Sequence, residues 1–381
     1  MQRLLSRHFW HYTLGGMKKF DISIGQHEFH FPVIQGGMGV GVSLSGLASA
    51  VARAGAVGVI AAAGVGMMEA FSGARANQAD PLVLSREILK AKAMAPVGVI
   101  GANIMVAMSY YDDLVRSALE AEADLIISGA GLPLHLPGLK SDYPDSRTAL
   151  VPIVSSGRAA TLIARRWQRD YNYPPDAFVV EGPLAGGHLG FSPSEIDDPA
   201  YRLENLVRDV IDASAVFGHI PVFAAGGIWD GYDIARFMAL GATGVQMATR
   251  FVATAECDAS PEFKQSYIDA TGTVIIKSPV GMPARAIVNP FLTEMEAGGK
   301  RPVRCPYHCI VTCDPKNTPY CIANALVTSK LGNTTDGLLF AGANVARVHK
   351  ITTVAGLIEE LSMDMEAVEC LSARVGSLLD I

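Results

Sequence analysis

The strongest constraint on this chain is an alternation that runs through its first 250 residues. A short, β-branched apolar run gives way to a glycine- or polar-rich turn, and an amphipathic segment follows most of these turns. The apolar runs fall at 32–35, 57–60, 97–103, 125–128, 150–154, 177–181, 221–225 and 244–248. Helical periodicity marks 44–54, 85–94, 110–121, 158–170, 203–217 and 232–240. Each run is apolar almost without a break, as a strand covered on both faces must be. Eight strand units in about 250 residues predict an α/β fold of the (β/α)8 TIM-barrel type. An open doubly wound sheet is the alternative. It is disfavoured because no GxGxxG follows the first run with an acidic residue about twenty positions on.

Two regions depart from the repeat. A long loop at 64–84 follows the second run, and loops of that length at strand C-termini usually bind or cover a ligand. Beyond the eighth unit the chain continues for more than a hundred residues. The expected division is a leader or poorly ordered segment at 1–21, a barrel at 22–272, and a C-terminal extension at 273–381 packing at the barrel mouth. That extension carries a cysteine segment at 305–321. Met17 offers an alternative start to the folded part, and residues 1–16 lack the long apolar stretch of a secretory signal. The net charge of −6, with no block of like charge, argues against nucleic-acid and anionic-membrane partners. The most apolar stretch, 46–68, contains Arg53 and five glycines and suits a buried helix–strand unit better than a membrane span. The default is a cytoplasmic protein with a small-molecule substrate, and this reading leaves room for a homodimer.

Chemistry is expected at the C-terminal ends of the strands. After the seventh run, "AAGGIWDG" places Gly226 and Gly227 where backbone N–H groups can approach an anion; after the eighth, "QMATRF" places Ala248 and Thr249 beside them. Small-residue turns on adjacent strands read as a phosphate clamp, whereas either alone reads equally well as a simple turn. The first run ends in "QGGMGVG", so Gly36 and Gly37 admit a flat ligand and Met38 adds a polarizable contact. Asn103 and Gln246 carry amides suited to a heteroaromatic edge, or serve as turn and packing residues. The sixth run ends in "EGPLAGGHLGF". His188 there is the side chain best suited to moving a proton near neutral pH, and Glu181 either orients it or pairs elsewhere. Arg250 and Arg285 are weaker candidates for holding an anion, and Lys277 and Ser278 for bordering the ligand.

Five motifs in order, "PVIQGGMG", "EGPLAGGHLGF", "PVFAAGGIWDG", "GVQMATRF" and "SPVGMPARAIVN", resemble the nitronate monooxygenase (2-nitropropane dioxygenase-like) flavoproteins. That family includes FMN-dependent enoyl-acyl-carrier-protein reductases. The similarity spans about 22–295. It implies a TIM barrel with non-covalent FMN at its mouth, contacted by Gly37, Met38, Asn103, Gly226, Gly227, Gln246, Ala248 and Thr249, and His188 as the catalytic histidine. Gly36, Glu181 and Gly187 complete the candidate cofactor-binding set. Ala248 stands where glycine is expected, and Leu184 where the monooxygenases often carry glutamate. The resemblance implies either oxidation of alkyl nitronates or NAD(P)H-driven reduction of an enoyl thioester. A non-redox phosphate-binding barrel is the rival from another class.

Cys305, Cys309, Cys313 and Cys321 are spaced C-x3-C-x3-C-x7-C among three prolines. An iron–sulfur cluster such as [4Fe-4S], a zinc site and metal-free thiols all remain open on spacing. A reducing compartment argues against disulfides. Cys257 and Cys370 stand apart as small hydrophobes.

Overall fold

The computed structural model describes residues 11–12, 18–67, 76–303, 305 and 308–379. Eight parallel strands close into a barrel: β1 (Val33–Gln35), β2 (Val57–Ala61), β3 (Val99–Met105), β4 (Leu125–Gly129), β5 (Ala149–Val154), β6 (Phe178–Glu181), β7 (Val222–Ala225) and β8 (Gly244–Met247). Every strand falls within two residues of its expected start. Ring closure is made by β8 beside β1, with Gln246 opposite Ile34 and Met247 opposite Gln35. The short β1–β2 contact is reinforced by a side chain, because buried Gln35 Oε1 accepts the Val59 N–H at 2.9 Å.

An antiparallel hairpin, Ile22–Ile24 with His27–Phe29, precedes the barrel. Its Phe29 ring lies 6.2 Å from Phe223 near the start of β7, so the hairpin closes the N-terminal end and leaves the C-terminal end for the site. The outer helices are α1 (Ser45–Arg53), α2 (Ala76–Met94), α3 (Tyr111–Glu120), α4 (Leu136–Ser141), α5 (Gly157–Tyr171), α6 (Leu203–Ala215) and α7 (Gly231–Ala239). Local chemistry sets their ends. Ser156 Oγ accepts the Ala159 N–H to start α5, and Asn172 ends it at a φ of 51°. Asp230 caps α7 through the Asp233 N–H. Each such N-cap stabilises by about 1 kcal/mol.

After β8 come α8 (Thr249–Val252), α9 (Pro261–Ile268), the hairpin Thr273–Lys277 with Pro283–Ile287, α10 (Pro290–Glu296), α11 (Ile322–Lys330) and α12 (Val354–Leu379). The last of these packs against both α7 and α1. Gly231 permits the approach, since a Cβ there would run into the Leu361 carbonyl. Thus α12 fills the place of the barrel's eighth helix. The residues between Ala253 and Thr353 are an insertion into the last βα unit rather than an appended tail. The sequence pattern hides this because a hundred residues separate the strand from its helix.

The long loop after β2 is shorter than expected. Helix α2 begins at Ala76 and runs through Pro81. Residues 68–75 of that loop lie outside the described residues, as do 1–10 and 13–17 of the expected leader; His11–Tyr12 pairs with Lys18–Lys19. Among the described residues, no helix is long and apolar enough to cross a membrane.

Candidate active site

Two adjoining cavities at the C-terminal end of the barrel share Gly37, Glu181 and Gly186 in their walls. The smaller, about 100 Å³, lies over the ends of β1, β6, β7 and β8. Gly36, Gly226, Gly227, Gln246, Ala248 and Thr249 border it together, so the two small-residue turns do converge. Gly226 and Gly227 take φ of 92° and 84°, which side chains resist. A Cβ on Gly226 would also sit 2.9 Å from the Gly182 carbonyl oxygen and 3.0 Å from the Ala185 nitrogen. The insertion completes this end. Gly342 N–H donates to Thr249 Oγ1 at 3.0 Å, and Asn344 Nδ2 donates to the Gly227 carbonyl at 2.7 Å. No motif in the sequence pointed to Gly342 or Asn344.

The larger cavity, about 400 Å³, is lined mainly by apolar groups, including Met105, Leu132, Ile153, Met282, Ile322 and Leu326. Asn103, Glu181, Gly187 and His188 supply polar groups or open backbone. Gly37 lies directly against Asn103: an added Cβ would be 2.5 Å from the Asn103 Cβ. Among the described residues, neither Lys nor Arg lines this cavity. Met38 borders neither cavity; its side chain is half-buried against the core, and its backbone N–H bonds Ser43 Oγ at 2.9 Å.

His188 is held by an element the sequence did not reveal. The "SPVGMPARAIVN" motif forms the turn and second strand of the hairpin in the insertion, and Gly187–His188 adds to it as a third, antiparallel strand. His188 Nε2 lies 2.8 Å from Ser278 Oγ, which also accepts the Val280 N–H at 3.3 Å. Phe340 packs edge-on, 5.3 Å from the imidazole. Burial lowers the imidazole pKa to about 4, so the ring is neutral at pH 7. Burial raises Glu181 to about 7, so this carboxyl changes charge near neutrality. No hydrogen bond joins it to His188 among those found.

The arginines serve the scaffold. Buried Arg285 donates Nη2 to the Pro183 carbonyl at 2.9 Å and Nη1 to Thr273 Oγ1 at 3.3 Å. Arg250 pairs with Glu360 at 2.8 Å and lies 4.9 Å over the Trp229 ring. Ser278 bears on the site through His188, a role its position in the sequence did not reveal.

All six cysteines are free thiols. Cys309 lines the larger cavity. Burial, then the charges of Cys321, Cys305 and Cys313, push its pKa up to about 12. Among the described residues, no three His, Cys, Asp or Glu side chains gather closely enough to hold one metal ion.

With its relatives, this barrel defines a class: it has the TIM-barrel architecture of the nitronate monooxygenase family. The model of the nitronate monooxygenase family matches residues 21–364, and the chain belongs to that family. A (3aS,4S,5R,7aS)-5-hydroxy-7a-methyl-1-oxo-octahydro-1H-indene-4-carboxyl-CoA dehydrogenase of Mycobacterium tuberculosis is 30% identical over 271 residues, 71% of this chain and 66% of that protein. Probable nitronate monooxygenases of Staphylococcus aureus are 40% identical over 123 residues, 32% of this chain and 34% of theirs. The matched stretches thus span between a third and two thirds of these relatives. FabK from Thermotoga maritima superposes over 91% of this chain and 96% of its own, with 28% identity and a TM-score of 0.69. Nitroalkane oxidase from Streptomyces ansochromogenes shares the fold, with a TM-score of 0.70 and 22% identity over 90% of this chain and 98% of that one.

Proposed function

We propose that the chain binds FMN across the two joined cavities and exchanges hydride with an apolar acyl thioester at its α,β-carbons. The cavity wall carries this reading. It is apolar and roomy, and among its described residues no cation is available to attract a small anionic nitronate. The CoA thioester in the printed name of the mycobacterial relative points the same way. The cradle fits FMN: side chains at Gly37 or Gly226 would fill it, and the clamp end has room for a phosphate. Bound there, FMN supplies the redox chemistry.

The protein's own groups then have distinct tasks. Gly36, Gly226, Gly227, Ala248 and Thr249 seat the phosphate, while Gly37, Asn103 and Gln246 fix the ring. His188, neutral and braced by Ser278, handles the proton exchanged at the substrate's α-carbon. Reduction of the double bond takes one hydride at Cβ and one proton at Cα; oxidation reverses both. Glu181 lies where the cavities meet and tunes the charge beneath the ligand. NAD(P)H is the two-electron donor this chemistry needs in the reducing direction. Six free thiols suit a cytoplasmic setting.

The family model and the staphylococcal relatives favour a second reading, nitronate oxidation, in which His188 takes the α-proton of a neutral nitroalkane. An anaerobic test separates the two. Flavin reduced by NADH or NADPH should reoxidise rapidly on a medium-chain enoyl thioester. No reoxidation by the thioester, with bleaching by a nitroalkane and reoxidation by oxygen instead, would overturn the thioester reading.

A further inference from the structure

The insertion brings Cys309 to the wall of the larger cavity, with Cys305, Cys313 and Cys321 near it. Residues 308–311 lie along the loop after β3: Met108 bridges to Ile310, Ser109 N–H donates to the Cys309 carbonyl at 3.1 Å, and Val311 N–H donates to the Ala107 carbonyl at 2.9 Å. Thr312 Oγ1 ties the same stretch to the Val280 carbonyl at 3.0 Å, two residues from Ser278. This pinned loop carries Cys309 into the cavity that also holds His188 and Asn103. Cys321, half-buried, stands at the N-cap of α11. Cys305 Sγ accepts the His308 N–H at 3.3 Å. Cys313, like Cys309, is partly buried against the core.

Each of the four thiols lies within electrostatic reach of the other three. Thiolates around one zinc ion would stand about 3.8 Å apart, given tetrahedral bonds of about 2.3 Å. No three described side chains meet that tightly. A cubane cluster holds each thiolate on a separate iron and spreads the four wider. Half-buried thiols that feel one another without crowding suit the cluster better than the single ion.

We infer that Cys305, Cys309, Cys313 and Cys321 hold an iron–sulfur cluster in the cavity wall, which passes single electrons between an external one-electron donor and FMN. The inference rests on the FMN reading for the cluster's role but not for its existence. Each transfer oxidises the cluster by one electron and reduces the flavin by one. Two transfers and two protons from solvent complete the flavin's reduction, and the donor, a low-potential one-electron carrier, resupplies the cluster.

The test begins with anaerobically purified full-length protein. About four iron and four labile sulfide per chain are expected, with an absorption shoulder that persists after flavin is removed. Stoichiometric zinc, or four thiols freely titrated with no iron after reconstitution, overturns the cluster. Iron and sulfide present in a chain that never takes up flavin would leave the cluster standing and sink the FMN reading, so the two failures are distinguishable. Cys313→Ser and Cys321→Ser are each expected to lose most iron while keeping flavin absorbance, the latter confirming that the chain still folds. With reduced methyl viologen as donor, flavin bleaching should slow at least tenfold in these variants, while NAD(P)H-driven bleaching stays within twofold. Equal viologen rates in iron-free and iron-loaded protein would overturn the relay.

Discussion

Glu181→Gln isolates the electrostatic cost of the site. Burial at the end of β6 raises this carboxyl from its ordinary 4.5 to about 7. The native state therefore binds more protons than the unfolded chain between those values, and stability falls as pH rises through that window. Below about pH 4 both states are protonated and the group contributes nothing to this difference. Above about pH 7 the full penalty applies, roughly 3 kcal/mol at 1.36 kcal/mol per pKa unit. Glutamine removes the titration but keeps the shape. Its amide carries its own burial cost, which does not vary with pH and cancels when the variant's advantage is compared at two pH values. Urea denaturation of the flavin-free protein should show Glu181→Gln gaining on the wild type by roughly 3 kcal/mol between pH 4.5 and pH 8. A difference that stays flat across that range, or grows towards acid, would refute the claim that an uncompensated carboxyl lies beneath the ligand.

Three further substitutions address separate parts of the site. His188→Ala should lower kcat about 10²- to 10⁴-fold with flavin content unchanged; in the wild type assayed in the oxidising direction, where the neutral imidazole takes the α-proton, kcat/KM should be insensitive to this group above about pH 5 and fall as pH drops through about 4, where the imidazole protonates. Gly37→Ala forces a methyl group to within 2.5 Å of Asn103 Cβ. Overpacking of about 1–3 kcal/mol should weaken flavin binding roughly 5- to 150-fold, read by fluorescence titration, and unchanged affinity would argue that the ring does not lie there. Asp80→Ala strips partners from the Tyr110 hydroxyl and the Gly66 N–H, which the buried carboxylate accepts at 2.6 and 2.7 Å. Denaturant midpoints should report a loss of about 2–5 kcal/mol.

The barrel was legible because its strands write their burial into the sequence. Runs such as 57–60 and 125–128 are apolar on both faces, and that leaves few architectures. The convergence of the small-residue turns was legible for a related reason: Gly226, Gly227, Ala248 and Thr249 follow adjacent strands of a closed ring, so strand order alone placed them together. What depends on long-range pairing was not visible. Nothing near His188 announces that Ser278, ninety residues on, will hold its Nε2, or that a hairpin from the insertion will extend the strand carrying it. Gly342 and Asn344 are likewise unremarkable residues made functional by where a distant loop lands. Arg285 misled for the opposite reason. Its guanidinium suits an anion, but the backbone carbonyl of Pro183 was there to take it.

The insertion explains why one barrel can support different chemistry. Strands β1, β3, β6, β7 and β8 supply the groups proposed to seat FMN, and these depend only on closing the ring. The groups that decide what meets the flavin come from elsewhere: Ser278, Met282, Cys309, Ile322 and Phe340 all lie between β8 and α12. Because backbone hydrogen bonds from Thr352 to Ala253 and from Ala255 to Thr352 join the two ends of that segment, and α12 packs on α7 and α1, the insertion is a closed loop rather than a free tail. Its side chains are thus held over the mouth without adding a hinge. On this view, exchanging residues 253–353 with the equivalent stretch of a short family member should leave flavin affinity within about an order of magnitude, since the clamp loses only the Gly342 and Asn344 contacts. Preference between thioester and nitroalkane should change with the transplanted segment. A chimera that keeps flavin and also keeps the original preference would show that specificity resides in the barrel strands instead.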